Sequence, residues 1–268
     1  MKTIKIGKEN STFQEILALK ENRTKRHSLK KFFVEGVQNI KDAITYGWKI
    51  KAFIYSNYDS LSNWAKSVLN YAEVGYELSA NLMDNLSDKD ETSELLAIIE
   101  MKEQIYNINN IENPVFILFD RPSKKGNLGT ILRSADALFV DQIFFTGHAV
   151  DIYDHNVITT SMGSFFKLPF KFLNSNQEFE DLISNLKSNY KDFQIIATSL
   201  QTSNLIEDCN FTKPTLLLVG NEAKGLSKFY IDKADKLVKI DMRENIDSLN
   251  VACATSICLY EINRQRKG

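Results

Sequence analysis

The chain is poor in the residues that build metal sites, disulfide frameworks and histidine-dependent catalytic sites. Its 268 residues include three cysteines and three histidines. Cys209, Cys253 and Cys258 form neither a C-x-x-C pair nor an even framework, which favours reduced, mostly buried thiols. There is no H-E-x-x-H motif or Cys/His cluster, and no histidine accompanies a nucleophile elbow. We therefore expect neither a bound metal nor a covalent nucleophile.

Long hydrophobic runs are also missing. No apolar stretch approaches the roughly 18 residues of a membrane span, and the N-terminal MKTIKIGKENSTF has no apolar core of the signal-peptide type. With 43% hydrophobic and 25% charged residues, the composition is typical of a soluble globular protein of one or two domains. We expect a cytoplasmic protein.

Charge of either sign is nearly balanced, at a net −1, but it is unevenly distributed. Residues 1–51 hold 12 Lys and Arg against 5 Asp and Glu, whereas the rest of the chain is acidic. The densest stretch is KENRTKRHSLKK (Lys20–Lys31), with six basic residues and one acid. A solvated helix face is one interpretation of such a run, and contact with a nucleic acid is the other.

Apolar segments alternate with helical patterns in both halves of the chain, which predicts an α/β protein. A polar, Asn-rich segment closing at Pro114 predicts a linker at 106–113 between a smaller α/β domain at 1–105 and a larger one at 114–268. The unalternating apolar segments of the larger domain predict a parallel sheet covered on both faces. They are VFILFD (115–120), QIFFTG (142–147), QIIATS (194–199), TLLLVG (215–220) and KLVKID (236–241).

The segment TLLLVGNEAKGLS (Thr215–Ser227) resembles a phosphate-binding loop without its lysine. A P-loop has the form G-x-x-x-x-G-K-[ST], but here Leu226 follows Gly225 and an acid, Glu222, lies inside the loop. Both changes disfavour a nucleoside triphosphate. The glycines still predict a tightly folded backbone, compatible with a neutral or cationic ligand or with a simple turn in which Glu222 caps a helix.

Two more strand ends carry polar residues, and ligands of parallel sheets bind at that edge. After VFILFD, Asn127 is a candidate helix cap, and Arg133 is either a surface ion-pair residue or a phosphate or hydroxyl contact. After KLVKID, Ser248 is the expected N-cap of the last helix, while Asn250 is difficult to explain as core. No G-x-G-x-x-G follows any strand, which disfavours a dinucleotide site.

Taken in order, three segments resemble the motifs of the SpoU (TrmH-type) RNA 2′-O-methyltransferases. They are NLGTILRSADAL (127–138), LLLVGNEAKGLS (216–227) and IDMRENIDSLNVACATSICLYE (240–261), and SMGSFFKLPF (161–170) is similar to an intervening family segment. The N-terminal half is similar to the L30e-type RNA-binding domain of many members. That likeness is carried by KRHSLKKFFVEGVQNIKDAI (25–44) and LSDKDETSELLAIIE (86–100).

The resemblance implies a fold, a cofactor and an assembly. The fold would be a C-terminal parallel-sheet α/β domain with a trefoil knot, together with a smaller N-terminal L30e-like α/β domain. The cofactor would be S-adenosylmethionine, the partner RNA, and the assembly a homodimer. By the same resemblance, the RNA-contact candidates are the basic residues Arg23, Lys25, Arg26 and Lys30.

The resemblance also assigns the site residues. Those carried over as catalytic are Asn127, Arg133, Glu222, Ser248 and Asn250. Those expected to hold the cofactor are Thr198, Gly220, Ile240 and Leu249. We prefer Arg133 as a residue that orients the substrate phosphate and hydroxyl rather than as a base, because a guanidinium has a pKa above about 12. The third motif departs from the family's I-P-M-x-G, with Asp241 in place of proline.

The function expected from this resemblance is S-adenosylmethionine-dependent methylation of a ribose 2′-hydroxyl, with ribosomal RNA favoured by the extra N-terminal domain. Such a reaction needs alignment of the hydroxyl with the methyl group and removal of a proton, but no metal. The alternatives are a tRNA ribose 2′-O-methyltransferase and a non-catalytic RNA-binding protein on the same scaffold.

Overall fold

A computed structural model describes residues 1–87, 91–102, 108, 111–243 and 248–267. The chain divides into two compact units, the first formed by Met1–Glu103 and Asp151–Lys167, the second by Gln104–Val150 and Leu168–Gly268. Half of the predicted linker at 106–113 lies outside the described residues, and the predicted domain borders stay predictions. Within the described ranges, no helix is both long enough and apolar enough to cross a membrane.

The regular elements, numbered along the chain, are eleven strands and eleven helices among the described residues. The strands are β1 (Lys2–Ile6), β2 (Lys31–Glu35), β3 (Ile50–Tyr55), β4 (Val74–Leu78), β5 (Leu96–Glu100), β6 (Val115–Asp120), β7 (Gln142–Thr146), β8 (Phe170–Leu173), β9 (Gln194–Thr198), β10 (Thr215–Val219) and β11 (Lys236–Val238). The helices are α1 (Ser11–Glu21), α2 (Arg23–Leu29), α3 (Val37–Thr45), α4 (Asn63–Val68), α5 (Ala80–Leu86), α6 (Lys125–Ala137), α7 (His155–Ser161), α8 (Ser164–Lys167), α9 (Asn176–Asn189), α10 (Lys228–Lys233) and α11 (Val251–Lys267).

The first unit is built on a five-stranded mixed sheet with the order β1-β4-β3-β5-β2. Strand β4 pairs in parallel with β1 and β3, and β5 runs antiparallel to β3 and β2. Apolar side chains from α1, α5 and the sheet form its core, among them Phe13, Leu19, Phe33 and Ile54. Helix α1 begins after Asn10, whose side chain accepts a hydrogen bond from the Phe13 backbone N–H.

Helices α7 and α8 belong to the first unit although they follow β7 in the sequence. An aromatic cluster holds them there. The centre of the Phe165 ring lies 5.3 Å from that of Trp48 and 5.7 Å from that of Phe32. The indole N–H of Trp48 also donates a hydrogen bond of 3.0 Å to the Phe166 carbonyl oxygen. Buried aromatic rings contribute a large apolar area, so this cluster explains how a segment distant in sequence joins the unit.

The second unit contains the parallel sheet that the sequence predicts. Its six strands lie in the order β11-β9-β10-β6-β7-β8, and every neighbouring pair is parallel. The residues of β6, β7 and β10 are all buried, as expected of strands covered on both faces. All strands therefore present their carboxyl ends at one edge, where the loops of the three motifs begin. The trefoil knot stays a prediction.

Candidate active site

The loop after β10 folds as tightly as its glycines predict. The Asn221 backbone N–H donates to the Gly225 oxygen at 3.1 Å, and the Gly225 N–H donates back to the Asn221 oxygen at 2.9 Å. Gly225 has φ +65°, in the left-handed region that favours glycine. A Cβ at Gly220 would lie 2.3 Å from the Leu226 backbone nitrogen. A larger residue would therefore displace the loop at Gly220 and would strain the backbone at Gly225.

Glu222 of this loop holds the start of α6. Its carboxylate accepts hydrogen bonds from the Ser123 hydroxyl at 2.5 Å, from the Ser123 and Lys124 backbone N–H groups at 3.0 and 3.1 Å, and from the Asn127 amide at 3.3 Å. Partial burial opposes ionisation, but the hydrogen bonds from Ser123 and Asn127 outweigh it and lower the pKa of Glu222. The acid is therefore ionised at neutral pH, and helix capping is one of its roles.

Asn127 and Asn250 extend this network across two motifs. The Asn250 amide nitrogen donates a 3.0 Å hydrogen bond to the Asn127 side-chain oxygen. The Asn250 oxygen accepts from the backbone N–H groups of Ala252 and Cys253, at 2.8 and 3.4 Å. Asn250, rather than Ser248, thus caps α11, and Asn127 lies inside α6 instead of capping it, because that helix begins at Lys125. Three of the five predicted catalytic residues form one chain of hydrogen bonds.

A cavity of about 470 Å³ lies beside this network. All four residues expected to hold the cofactor line it, namely Thr198, Gly220, Ile240 and Leu249, and so do the predicted catalytic residues Glu222 and Ser248. The Thr198 hydroxyl donates a hydrogen bond of 3.2 Å to the Leu218 carbonyl oxygen.

The shape and lining of this cavity fit S-adenosylmethionine. Its volume is within the roughly 300–1,000 Å³ of small-molecule sites. Apolar side chains such as Leu226, Val238 and Val251 form part of the wall, while the backbone of the Gly220–Gly225 loop supplies polar groups. The space that a Cβ would fill at Gly220 is taken up by the folded loop itself. An apolar surface beside backbone donors and acceptors suits a ligand that has both an adenine ring and an amino-acid part.

Arg133 stands apart from the cavity. It is exposed on α6, six residues after Asn127, and is absent from the cavity lining. Within the part of the chain that the structure describes, its guanidinium has no hydrogen bond or ion pair. An exposed guanidinium of this kind is available to an anionic substrate. Its role in the reaction stays a prediction.

The cysteines of α11 differ from one another. Cys258 is buried at the cavity wall, where burial raises the pKa of its thiol to about 12. A thiol that stays protonated is a poor nucleophile, which agrees with a reaction that needs none. Cys253 is exposed and is the exception to the expectation of mostly buried thiols.

The four expected RNA-contact residues on and beside α2 also differ in exposure: three are exposed and one is buried. Arg23, Lys25 and Lys30 are exposed on the first unit, the last at the C-cap of α2 with φ 53°. Exposed cations of this kind, two on α2 and one directly after it, are suited to contacts with phosphate groups.

Arg26 is a correction to the expected RNA-contact set, because its side chain is only 2% exposed. Its Nε lies 2.7 Å from Asp151 and its Nη2 3.3 Å from Asp154. Its Nη1 donates to the backbone oxygens of Leu19 and Lys20, at 3.2 and 2.7 Å. A guanidinium enclosed by two carboxylates and two carbonyls has no free face for phosphate. Its function is to hold the Asp151–Lys167 segment in the first unit.

Three residues next to the loop were missed by sequence reasoning. Asn221 lines the cavity, and Asp120 and Arg121 contact the loop from the end of β6. The rule that ligands bind beyond the carboxyl ends of parallel strands points to all three positions. Their contacts depend on pairing between β6 and β10, which are nearly a hundred residues apart in the chain.

Comparison with known proteins assigns both halves of the sequence to described families. Residues 114–260 match the model of the SpoU rRNA Methylase family, and residues 10–97 match that of the SpoU L30e-like domain. The first match covers more than half of the chain. Both agree with the resemblance that the motifs carry.

Individual relatives match over nearly the whole chain. The 23S rRNA (uridine(2479)-2′-O)-methyltransferase of Streptomyces viridochromogenes is 36% identical over 98% of this chain and 92% of its own length. The crystal structure of the SpoU methyltransferase AviRb from the same organism, in complex with the cofactor AdoMet, has a TM-score of 0.89 at 35% identity and covers 97% of this chain and 99% of that one. An AdoMet-bound rRNA methyltransferase from Sinorhizobium meliloti has a TM-score of 0.84 at 28% identity, covering 98% of both chains.

Proposed function

Because the chain belongs to the SpoU rRNA methylase family, we propose that it methylates a ribose 2′-hydroxyl of 23S ribosomal RNA with S-adenosylmethionine. The main support for the proposal is that residues of three separate motifs come together beside one cavity. Glu222, Asn127 and Asn250 are linked by hydrogen bonds, and the expected cofactor residues line the space beside them. A tight turn alone requires none of these long-range contacts.

The residues of this chain have separable roles in the reaction. When bound, S-adenosylmethionine supplies an electrophilic methyl group, so the protein needs to align the hydroxyl and accommodate its proton. Gly220, Ile240 and Leu249 would hold the cofactor at the cavity wall. Asn127 is fixed between Asn250 and Glu222, the latter of which lines the cavity, and would help to align the substrate there. Arg133 would bind an RNA phosphate and orient the ribose.

RNA contact by the first unit is the second part of the proposal. Arg23, Lys25 and Lys30 are exposed and cationic, and phosphate neutralisation supplies much of the affinity of such surfaces. The extra domain also favours ribosomal RNA over the tRNA alternative, since the relative that spans 98% of this chain acts on 23S rRNA. An RNA substrate of this kind goes together with the cytoplasmic location expected from the sequence.

The third part is a homodimer formed through α11. Cys253, Ile257 and Tyr260 are spaced by four and three residues, so they share one face of the helix. Ile257 is 41% exposed and Tyr260 61% exposed in the single chain. An exposed apolar stripe on a helix that also carries the site is suited to a self-complementary, two-fold interface.

The non-catalytic alternative is opposed by the intact site. A protein that only binds RNA requires neither a cavity with this lining nor the hydrogen bonds that link Glu222, Asn127 and Asn250. Asp241 departs from the family pattern but is exposed, and its neighbours Ile240 and Met242 still line the cavity.

Two measurements on the wild-type protein test the proposal. Isothermal titration calorimetry with S-adenosylmethionine should show one site per chain, and incubation with 23S rRNA lacking the modification should label one ribose 2′-oxygen. Mapping that position in RNA from cells with and without the protein identifies the nucleotide. Binding without any change in ribose methylation would favour the non-catalytic alternative, and labelling of tRNA instead would favour the tRNA enzyme.

Arg133→Lys is the matching variant. It keeps the positive charge but removes the planar fork that binds phosphate in two places. We expect methyl transfer to fall by at least about a hundredfold, the loss typical of removing a transition-state contact, while calorimetry shows unchanged cofactor binding. Unchanged turnover would remove Arg133 from the site.

A further inference from the structure

A buried carboxylate ends the central strand next to the cofactor loop. Asp120, the last residue of β6, is 1% exposed. Its Oδ1 accepts from the Thr146 hydroxyl at 2.9 Å, and its Oδ2 accepts from the Ser227 backbone N–H at 3.0 Å. The Arg121 guanidinium binds both oxygens, at 3.0 and 2.8 Å. This charge is fully paired, so its arrangement is rigid.

Arg121 connects this carboxylate to the loop at two points. Its Nη2 donates a 3.2 Å hydrogen bond to the Gly225 carbonyl, and its own carbonyl accepts one of 2.7 Å from the Asn221 amide. Its backbone has φ 53°, a conformation that L-residues rarely adopt. Its side chain passes so close to Gly147 that a Cβ there would lie 2.6 Å from the arginine Cγ. A strained backbone and a close-packed side chain are retained here together with the contacts to the loop.

We propose that Arg121 is a positioning residue for the cofactor cavity. The Asp120–Arg121 pair clamps the loop at Asn221, Gly225 and Ser227, and so determines the affinity for S-adenosylmethionine. This inference rests on the function proposed above. It concerns residues outside the cavity lining, which act through the loop.

The physical reason lies in the construction of the cavity wall. Residues 220–226 line the cavity as one continuous loop, and Ala223, Lys224 and Gly225 are exposed to solvent. A loop with so little packing of its own keeps its shape through hydrogen bonds at its ends. Ordering it at the moment of ligand binding would reduce the affinity, whereas a clamp that orders it beforehand avoids that loss.

The test compares Arg121→Ala and Arg121→Lys with Lys228→Ala. Lys228 is an exposed cation at the start of α10 that neither lines the cavity nor contacts the clamp, so it controls for loss of charge. Calorimetry with S-adenosylmethionine should show binding weaker by about tenfold or more in Arg121→Ala, the effect of losing one or two charged hydrogen bonds. Arg121→Lys should be intermediate, because an ammonium cannot reproduce the planar fork. Lys228→Ala should match the wild type.

Steady-state kinetics separates positioning from a general loss of folding. We expect the KM for S-adenosylmethionine to rise in both arginine variants, while the KM for RNA and the kcat at saturating cofactor stay within about twofold of the wild type. A variant that is only unstable would show a lower binding stoichiometry with an unchanged Kd, and that result would overturn the inference. So would equal Kd values for Arg121→Ala and wild type. If the wild-type protein binds no S-adenosylmethionine, the proposed methyltransferase function is wrong. If the wild type binds it and Arg121→Ala binds it equally well, only the positioning role of Arg121 is wrong.

Discussion

At the scale of single residues, Glu222 shows how one acid serves both structure and site. Its position in a glycine loop is compatible with a cationic ligand or with a helix cap, and the structure shows it bound to the segment that leads into α6. The carboxylate accepts three hydrogen bonds from Ser123 and Lys124, just before α6, and one from Asn127 in its first turn. Because Asn127 is oriented in this way, the acid also determines where a residue of another motif lies. Glu222 therefore acts in the site mainly as an acceptor that aligns its neighbours.

Glu222→Gln should destabilise the protein in a pH-dependent way. The folded state lowers the pKa of this carboxyl below its ordinary 4.5, so its stabilising contribution is present above the unfolded pKa and is lost as pH falls through the folded pKa. At pH 7 we expect a loss of about 1 kcal/mol in the free energy of unfolding, reduced by partial exposure. Urea unfolding of both proteins between pH 7 and pH 3 measures this. A stability difference that stays constant over that range would contradict the proposed ionised cap.

Arg26 marks the limit of what a local sequence pattern predicts. Six basic residues within Lys20–Lys31 indicate a cationic surface, and Arg23, Lys25 and Lys30 are indeed exposed. Arg26 has the same local surroundings, but its burial is decided by Asp151 and Asp154, more than a hundred residues further along the chain. The residues at the cavity were predictable because their motifs follow strands of one parallel sheet. Arg121 was not, since its contacts depend on the exact pairing of β6 with β10.

At the scale of elements, periodicity was sufficient for long helices and buried strands and insufficient for short ones. The strands β6, β7, β9 and β10 are continuous apolar runs and were predicted within one residue of their ends. β1, α2, β2, α7, α8 and β8 were not predicted. The three helices are at most seven residues long, which is less than two turns, and the three strands each carry a lysine within four or five residues instead of a continuous apolar run. Tertiary contacts decide the structure of such segments.

The N-terminus of α11 gives a prediction at this scale. Asn250→Ala should lower the free energy of unfolding by about 1 kcal/mol, because it removes the acceptor for the Ala252 and Cys253 N–H groups. Ser248→Ala, two residues earlier, should change it by less than about 0.5 kcal/mol. Thermal and urea unfolding of the two variants side by side provide the measurement. Equal losses would show that Ser248 shares the cap.

Helix α2 gives a second prediction at this scale, because its adjacent residues Lys25 and Arg26 have different roles. Arg26→Ala leaves Asp151 and Asp154 buried without their cation, which should cost about 3–5 kcal/mol of stability. Lys25→Ala should change stability by no more than about 0.5 kcal/mol, but should reduce the salt dependence of RNA binding by about one phosphate contact.

Urea unfolding and filter binding at several salt concentrations separate the two effects in the same pair of proteins. If Lys25→Ala binds RNA with an unchanged salt slope, α2 is a solvated face and the RNA-contact assignment fails. An Arg26→Ala protein as stable as the wild type would mean that the Asp151–Lys167 segment is held by its aromatic cluster alone.

At the scale of the whole molecule, the distribution of charge and apolar surface suggests a division of tasks between the units. The basic excess lies in residues 1–51 and the methylation motifs lie beyond residue 120. In the proposed function, the first unit therefore contributes RNA affinity, while the second unit carries the chemistry and orients the ribose through Arg133. The exposed apolar face of α11, formed by Cys253, Ile257 and Tyr260, has no role in RNA contact or in methyl transfer. Under the proposed homodimer it packs against a second copy of the chain.

Tyr260→Glu should convert the proposed dimer to a monomer, since it places a charge on the apolar stripe and leaves it unpaired when the interface closes. Tyr71→Glu is the matched control, because Tyr71 in the first unit is the same residue type and is also 61% exposed. Sedimentation velocity of the wild type and both variants at equal concentration should give a dimer, a monomer and a dimer respectively. Retention of the dimer by Tyr260→Glu would move the interface away from α11, and a monomeric wild type would leave the stripe to another partner. Thermal unfolding of each variant confirms that a smaller particle is a folded monomer, which the solvent exposure of Tyr260 in the single chain predicts.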